Sequence, residues 1–491
     1  AAKRATKRFE QVKSAVIRVG QAVARAAVGL LGGAGALIAL ILVIGGAAAV
    51  IGTPFGVFWS GNDSDAQSVP QAVARINSEF ASEISRIQTE NPTDSVVIHR
   101  EPDGGSDLTI RNWTDVIAVF AVKTAGDDYV KNEKGRVCGG SEYLSVLDGM
   151  TGKEIDRVDW PERNDRYGNL IRQNRNQMGI AYLDGKTPCI LAARGTYKLM
   201  VVDAWQLKEG KLQRMWRWDG DEENPIVRSM GAHSMVTADV DGDGRDEVML
   251  GSCMLDDNGT LLWSSGLGHS DKAYLCKLRP DMEGMQVFMV SEPKKEDGRG
   301  VSVVDAATGK LIWGIGHTTY HVGDGMVADF DPAHPGLECF ASEDRKGGST
   351  DRYLLTADGK KLQVSQDEIP GCRNWIWWDA DLLRETFKGD DNRWGAGSSS
   401  GGRDQSIWKW KGEILTENIK GDILLMADME GDWREELITA LPGELRIYRT
   451  NIPATDRRVT LMQDALYRSY VAHRSMGYPQ APVPSYYLGD N

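Results

Sequence analysis

Between Arg25 and Asp63 no residue is charged, and the stretch AVGLLGGAGALIALILVIGGAAAVIG within it is almost wholly apolar. That run exceeds the roughly 20 residues a helix needs to cross a bilayer. Residues 26–60 are therefore read as a transmembrane helix. A helical period follows, with Val73, Ile76, Phe80, Ile84 and Ile87 recurring every three or four positions. Pro70 stands near its start and Asn91-Pro92 ends it. A second short helix is predicted over WTDVIAVFAVKT, residues 113–124, with Thr114 or Asp115 near its cap. Residues 61–126 thus read as a helical stalk or linker, whose apolar face is a candidate for self-association.

The pattern changes near Gly126. Beyond it an acidic turn followed by a short apolar strand recurs: DVDGDGRDEVMLGS (239–252), RPDMEGMQVFMVSE (279–292), ADFDPAHPGLECFASE (328–343) and ADMEGDWREELITA (427–440). AYLDGKTPCILAARG (181–195) is a weaker copy, and WWDADLLRE (377–385) fills the remaining gap. A second phrase runs between copies: LDGMTGKEIDRVDW, LDDNGTLLW, VDAATGKLIW and LTADGKKL. Each reads as strand, tight turn, strand, often closing on Trp. A repeat of roughly 40 to 50 residues with about four strands per unit predicts an all-β β-propeller of about six to seven blades over residues 127–491. A pair of β-sandwiches would not repeat the acidic loop at this period.

Charge sharpens the division. The net charge of −13 splits into +6 over residues 1–60 and −19 beyond. Residues 1–25 read as a basic cytoplasmic tail, because basic flanks stay inside. The rest then lies outside the cell membrane, on a single-pass anchor. A cleaved signal peptide is the competitor, but both the apolar run and its basic lead are long for one. The acidic body argues against nucleic acid as a partner. None of the six cysteines stands in a CxxC pair, which argues against zinc. They read either as buried single thiols in strands or as disulfide partners. The 55 glycines and 15 tryptophans suit many short strands closed by tight turns.

In DVDGDGRDE, Asp239, Asp241 and Asp243 are carboxylate ligands at alternate positions, Arg245 offers its backbone carbonyl and Glu247 closes the cage. Gly244 permits the sharp turn. Hard oxygen ligands of this kind select calcium. Asp428, Glu430, Asp432 and Glu436 offer a second such set, with Trp433 in place of the glycine. Asp329, Asp331 and Glu338 keep less of the pattern and read as a structural turn. No serine elbow, P-loop or HExxH motif is present. GCRNWIWWDADLLRE (371–385) gathers aromatic, amide and charged residues. Arg373, Asn374 and Trp378 there are candidate carbohydrate contacts, with a packed strand core as the alternative.

Two resemblances bear on these readings. VIGTPFGVFWSGNDS, PQAVARINSEFASEISRI and WTDVIAVFAVKTAG, within residues 3–125, resemble the membrane-proximal region of a protein carried by integrative conjugative elements of Firmicutes. That implies a tether on a mobile element. Residues 130–491 resemble the rhamnogalacturonan lyase family of eight-bladed, calcium-rich propellers. EYLSVLDGMTG, GAHSMVTADVDGDGRDEV, DDNGTLLWSSGLGHSD, IWWDADLLRE, ADMEGDWREE and the closing run LRIYRTNIPATDRRVTLMQDALYRSYVAHRSMGYPQAPVPSYYLG carry it.

That resemblance implies β-elimination at galacturonate in the rhamnogalacturonan backbone of pectin, with Ca²⁺ as cofactor. It implies that Lys420 is the catalytic lysine, and that His233 and His269 serve metal and substrate respectively. This chain departs from the family pattern in several places. TENIK (416–420) stands for NNGTK, Gly323-Asp324-Gly325 stands for GRG, and HSDKAY (269–274) puts Tyr274 where a histidine is usual. The anchor segment stands where the family has a sandwich and its first blades, so an incomplete or divergent ring is expected. The alternative function is a non-catalytic, calcium-stabilised propeller that binds carbohydrate or protein on a membrane tether. DAATGKLIW also fits quinoprotein propellers, which the absence of vicinal cysteines disfavours. A junction of two unrelated parts near residue 126 is a further reading.

Overall fold

The structure is a computed structural model. It describes residues 121–491 except 126–127, 149–152, 224, 367, 370–373, 380, 389–404, 442–443, 455, 457, 475 and 490–491. The predicted tail 1–25, the anchor 26–60 and nearly all of the stalk 61–126 lie outside the described residues. Among the described residues no helix is long and apolar enough to cross a membrane. The chain divides into two compact units. The first comprises Ala1–Thr124, Tyr143–Val158 and Pro442–Leu445, and the second Ala125–Glu142, Asp159–Leu441 and Arg446–Asn491.

In the first unit the described elements form a three-stranded sheet ordered Ala121–Ala125, Glu142–Leu147, Glu154–Asp159. This corrects the helix expected over residues 113–124, because its described end is a strand. Val122 and Thr124 are β-branched, which favours a pleated strand with a ladder partner over a short helix.

The second unit is built from successive antiparallel meanders. The first has strands Asn176–Ala181, Cys189–Arg194, Val201–Lys208 and Lys211–Asp219. The second has Gly231–Ala238, Glu247–Gly251, Cys253–Leu255 and Leu261–Ser264. The third has Ser270–Cys276, Gln286–Ser291, Val301–Asp305 and Leu311–Gly314. Val322–Ala328, Glu338–Glu343 and Arg352–Leu355 make the fourth. Trp375–Ile376, Glu385–Lys388, Gln405–Trp408 and Ile414–Ile419 make the fifth, and Asp422–Ala427 pairs with Glu436–Leu441 after it.

Every acidic turn singled out in the sequence links the first strand of a meander to its second. The first and second strands carry most of the burial; all residues of Gly231–Ala238, Glu247–Gly251, Ser270–Cys276 and Gln286–Ser291 are buried. The first strands Gly231–Ala238 and Ser270–Cys276 meet in parallel register through Ala232 and Ser270. The observed class is all-β, as expected. Among the described residues the cysteines are free thiols, with Cys189, Cys253, Cys276 and Cys339 buried.

The recurrent phrase closing on Trp has a mechanical role. The indole N–H of Trp216 donates to the Asp257 carbonyl at 2.8 Å, that of Trp263 to Ala306 at 2.8 Å and that of Trp313 to Ala357 at 3.0 Å. Each ring lies against the turn glycine of the next meander. A Cβ on Gly259 would stand 2.5 Å from Trp216, and one on Gly309 2.6 Å from Trp263. Both glycines also have positive φ, so the turn and the close approach demand the same residue.

Beyond the single parallel bridge at Ala232 and Ser270, the edges of these two first strands that face away from their own meanders are unpaired, and natural sheets cover such edges. Here the helix Ala465–His473 and the segment after it do so. Tyr470 Oη accepts from Leu275 N–H at 2.8 Å, and Ser469 Oγ accepts from Thr237 N–H at 3.0 Å.

One ion pair is wholly internal. Arg384 Nη2 lies 3.2 Å from Glu435 Oε1, both side chains at most 1% exposed. Tyr467 donates to the same oxygen at 2.7 Å, and the guanidinium sits 3.7 Å from the Trp377 ring centre. Removing one member of such a pair strands the other charge. Arg384→Ala is therefore expected to cost about 3–5 kcal/mol, read as a lower urea midpoint.

Candidate functional site

The acidic turns and the histidines occupy opposite ends of the first strands. Asp239 follows Gly231–Ala238, whereas His233 lies near its start. Six residues of strand separate them by roughly 20 Å.

At the acidic end, the loop 239–247 is prearranged. Asp239 accepts from Gly242 N–H at 2.7 Å and Gly244 N–H at 3.0 Å, and Glu247 Oε2 accepts from Val240 N–H at 2.8 Å. Asp243 accepts from Arg245 N–H at 2.9 Å, while the Arg245 side chain pairs with Asp257 at 2.9 Å. Ligand oxygens of Asp239, Asp241 and Glu247 lie within 4.8 Å of one another. The remaining Glu247 oxygen, Oε1, is buried with no hydrogen-bond partner. Burial, and then the charges of Asp241, Asp239 and Asp243, push its carboxyl up to about 8. These oxygens fit a hard divalent cation.

The other loops differ. Lys409 Nζ lies 2.5 Å from both Asp379 and Asp381, so an ammonium already sits in the loop 377–385. The structure does not bring Asp428, Glu430, Asp432 and Glu436 together as ligands. Asp428 accepts from Gly431 N–H at 2.8 Å, the Thr460 hydroxyl at 2.7 Å and Leu461 N–H at 2.8 Å. Glu430 pairs with Arg449, Asp432 with Arg434, and Glu436 accepts from two backbone amides.

At the other end, side chains from three meanders converge. His233 comes from the second, His269, Asp271 and Glu292 from the third, and His321 from the start of the fourth. Candidate ligand atoms lie within 4.8 Å of each other in two overlapping sets: His233, His269, Asp271 and Asp271, Glu292, His321. His269 Nδ1 lies 2.6 Å from the Gly231 carbonyl, to which it donates, leaving Nε2 as the lone-pair nitrogen. That Nε2 is buried with no hydrogen-bond partner. The Tyr197 hydroxyl lies 3.0 Å from His233 Nε2, and the Tyr478 ring stacks on His233 with centroids 3.9 Å apart. Burial holds both His233 and His269 well below the usual histidine range. Burial, and then Glu292, pushes Asp271 up. Neutral imidazoles facing carboxylates in a dry site form a donor set suited to a divalent metal ion.

The remaining sequence candidates fall differently. Lys420 is exposed and immediately precedes Asp422–Ala427, so it occupies the same strand end as the histidines in its own meander. Asn418, where the resembled pattern has glycine, keeps a left-handed backbone with φ 61°, which Asn tolerates. Asn374 stands just before its first strand, buried, with Oδ1 unpartnered. Arg373 lies outside the described residues. Trp378 is a correction: it is 2% exposed and its indole N–H bonds Thr416 at 2.8 Å, so it packs the core and offers no face to a sugar. Tyr274 is buried against Tyr470.

Sequence reasoning missed Asp271, Glu292 and His321 as a group. A usable signal existed. SE closes both RPDMEGMQVFMVSE and ADFDPAHPGLECFASE. A carboxylate at the end of a second strand lies beside the start of the first, where the histidines are.

Residues 92–491 match the family model described as rhamnogalacturonan lyase family 11, C-terminal domain. Rhamnogalacturonan endolyase YesW of Bacillus subtilis (strain 168) is 40% identical over 380 residues, which cover 75% of this chain and 58% of that protein. Rhamnogalacturonan exolyase YesX of the same organism is 36% identical over 379 residues, 73% of this chain and 60% of that one. The crystal structure of the exotype lyase YesX superposes with a TM-score of 0.66 at 33% identity, covering 75% of this chain and 65% of its own. The chain thus spans less than two thirds of the length of these relatives. The family match begins inside the stretch read as stalk and runs to the last residue. With that match, and with this identity to the two lyases, the chain belongs to rhamnogalacturonan lyase family 11 through that family's C-terminal domain.

Proposed function

We propose that this chain is a polysaccharide lyase that cleaves the rhamnogalacturonan backbone of pectin by β-elimination at galacturonate. The observation that carries the reading is the buried His233–His269–Asp271–Glu292–His321 cluster at the start of the first strands, in a chain of this family. In the reaction a base removes the C5 proton. The C–H electron pair becomes the C4–C5 double bond, and the O4 substituent leaves. Lys420, at the same strand end, is the base that takes the C5 proton. His233, His269, Asp271 and Glu292 would hold a divalent cation, which when bound supplies positive charge that acidifies C5–H through the uronate carboxylate. Tyr478, stacked on His233, and Tyr197 fix the imidazole plane.

The meanders are read as the blades of an extracellular propeller, with Ca²⁺ in the loop 239–247 as a structural ion and 26–60 as a transmembrane anchor of mobile-element origin. Self-association through the stalk belongs to the same reading. One observation favours the alternative, a non-catalytic binding propeller: Asp324, between Gly323 and Gly325, offers a uronate a carboxylate where the family pattern has arginine.

The test incubates the metal-loaded chain with rhamnogalacturonan and follows ultraviolet absorbance of the unsaturated uronate. Absorbance is expected to rise, and Lys420→Ala to slow it by about 10²–10⁴-fold. A folded, metal-loaded sample that produces no unsaturated uronate would leave the binding propeller.

A further inference from the structure

The arginines around the first meander are of two kinds. Arg163 pairs with Glu142 at 2.7 Å, Arg166 with Asp219 at 2.7 Å, and Arg194 with Glu142. Arg172, in the short helix Leu170–Gln173, and Arg175, just before the strand Asn176–Ala181, are half-buried and pair with no carboxylate among the described residues.

Each lies over an aromatic ring instead. The Arg172 guanidinium stands 4.8 Å from the Tyr197 ring centre, and that of Arg175 stands 5.6 Å from the Tyr478 ring centre. These are the two rings that hold the histidines: the Tyr197 centroid lies 4.2 Å from that of His269, and Tyr478 stacks on His233. The two guanidiniums therefore stand one ring away from the cluster, at the end of the first strands where it lies. Lys272 also faces the Tyr478 ring, at 5.5 Å, but its ammonium donates to the Pro479 carbonyl.

A guanidinium withdrawn from water calls for an anion. Arg175 hydrogen-bonds Tyr478, yet its Nε is buried without a partner. Burial first, and Arg175 and Arg172 with it, hold His269 below the usual histidine range, so both charges reach the cluster. Two cations beside a cluster suited to a divalent ion repel that ion and each other. An anion from solution removes that cost.

We propose that Arg172 and Arg175 clamp a uronate carboxylate of the polysaccharide beside the cluster. A guanidinium offers parallel N–H donors that match the two oxygens of a carboxylate. Tyr197, hydrogen-bonded to His233 at 3.0 Å, and Tyr478, stacked on it, hold the two forks in place. The clamp rests on the lyase reading and adds to it the residues that select an acidic glycan over a neutral one.

The test is titration calorimetry on the Ca²⁺-loaded full chain carrying Lys420→Ala, which stops turnover. The two ligands are a rhamnogalacturonan oligosaccharide and the same oligosaccharide with its carboxyls reduced to alcohols. Arg172→Gln and Arg175→Gln are each expected to weaken binding of the acidic ligand by about 10–100-fold and to leave binding of the reduced one unchanged. Arg175→Lys keeps the charge and is expected to recover part of the lost affinity. Equal weakening for both ligands would overturn the clamp and leave the arginines as supports for the tyrosine rings. Affinity for the acidic ligand that neither glutamine substitution changes would overturn it too, and unsaturated uronate released once Lys420 is restored would then keep the lyase without the clamp. Arginine-dependent selectivity in a chain that releases no unsaturated uronate with Lys420 restored would keep the clamp and end the lyase reading. A chain that binds neither ligand would overturn both.

Discussion

A chain ended after Thr460 is expected to lose cooperative unfolding altogether. The removed segment supplies partners to backbone groups of several first strands. Ser469 Oγ accepts from Thr237 N–H, Tyr470 Oη both accepts from and donates to Leu275, and Tyr467 Oη accepts from Asp428 N–H. Gln480 donates to the Ala273 carbonyl and Arg474 to that of Leu424. These are six hydrogen bonds to buried or half-buried strand edges. Leaving a buried group unsatisfied costs about 1–3 kcal/mol, so the set amounts to about 6–18 kcal/mol. That equals or exceeds the roughly 5–15 kcal/mol by which a native protein is stable. Leu466, Tyr467 and Tyr470 are lost from the core as well. Near-ultraviolet circular dichroism with urea titration reads the result. Tyr470→Phe isolates one contact and is expected to cost about 1–3 kcal/mol. A truncated chain that still unfolds in one sharp transition, only slightly weakened, would refute the role assigned to the tail.

The meanders were legible because their turns are chemically constrained. An Asp that accepts from amides two to five residues on must recur wherever the first strand turns into the second. Asp239 and Asp428 hold that place. The tryptophan phrase was legible for a similar reason: Gly259 and Gly309 must lack a Cβ, and a ring must lie over them.

The described end of the helix predicted over residues 113–124, residues 121–124, is a strand, because its apolar positions satisfy a helical period and a strand equally. Trp378 failed because an aromatic cluster looks alike in sequence whether it faces sugar or core. The acidic loops at 239–247 and 428–436 share their spacing, and what separates them is distant: Thr460, Leu461, Arg434 and Arg449 take up the second loop's oxygens. The histidine cluster was only half legible. His233 and His269 came through resemblance, while Asp271, Glu292 and His321 become neighbours only when three meanders stand side by side. Their spacing along the chain carries no motif.

Without calcium, the chain is expected to lose several kcal/mol of stability between pH 5 and pH 8, and calcium is expected to restore part of it. Burial pushes the carboxyls of Glu247, Glu338 and Glu436 from the ordinary glutamate value of 4.5 up to about 8. In the unfolded chain they return to that ordinary value. Between the two, the folded state binds protons that the unfolded state has released, so stability falls as pH rises. The stability is fully present below about 4.5 and is lost as pH passes through about 8. One such group accounts for at most about 1.4 kcal/mol per pH unit. Glu338 also keeps a buried oxygen without a hydrogen-bond partner, but of the three only Glu247 brings an oxygen within 4.8 Å of those of Asp239 and Asp241 in a candidate ligand set. A calcium ion there would favour its ionised form, and at pH 5 protons compete with the ion for the same oxygens. At 100-fold excess over its dissociation constant the ion would add about 2.7 kcal/mol. The rise in melting temperature on adding calcium is therefore expected to be larger at pH 8 than at pH 5. Glu247→Gln is expected to remove its own share of the pH dependence of the calcium-free chain, leaving that of Glu338 and Glu436, and to abolish most of the calcium effect. Calcium-free stability that increases from pH 5 to pH 8, or a calcium effect that survives Glu247→Gln, would show that the loop 239–247 is held by its own hydrogen bonds alone.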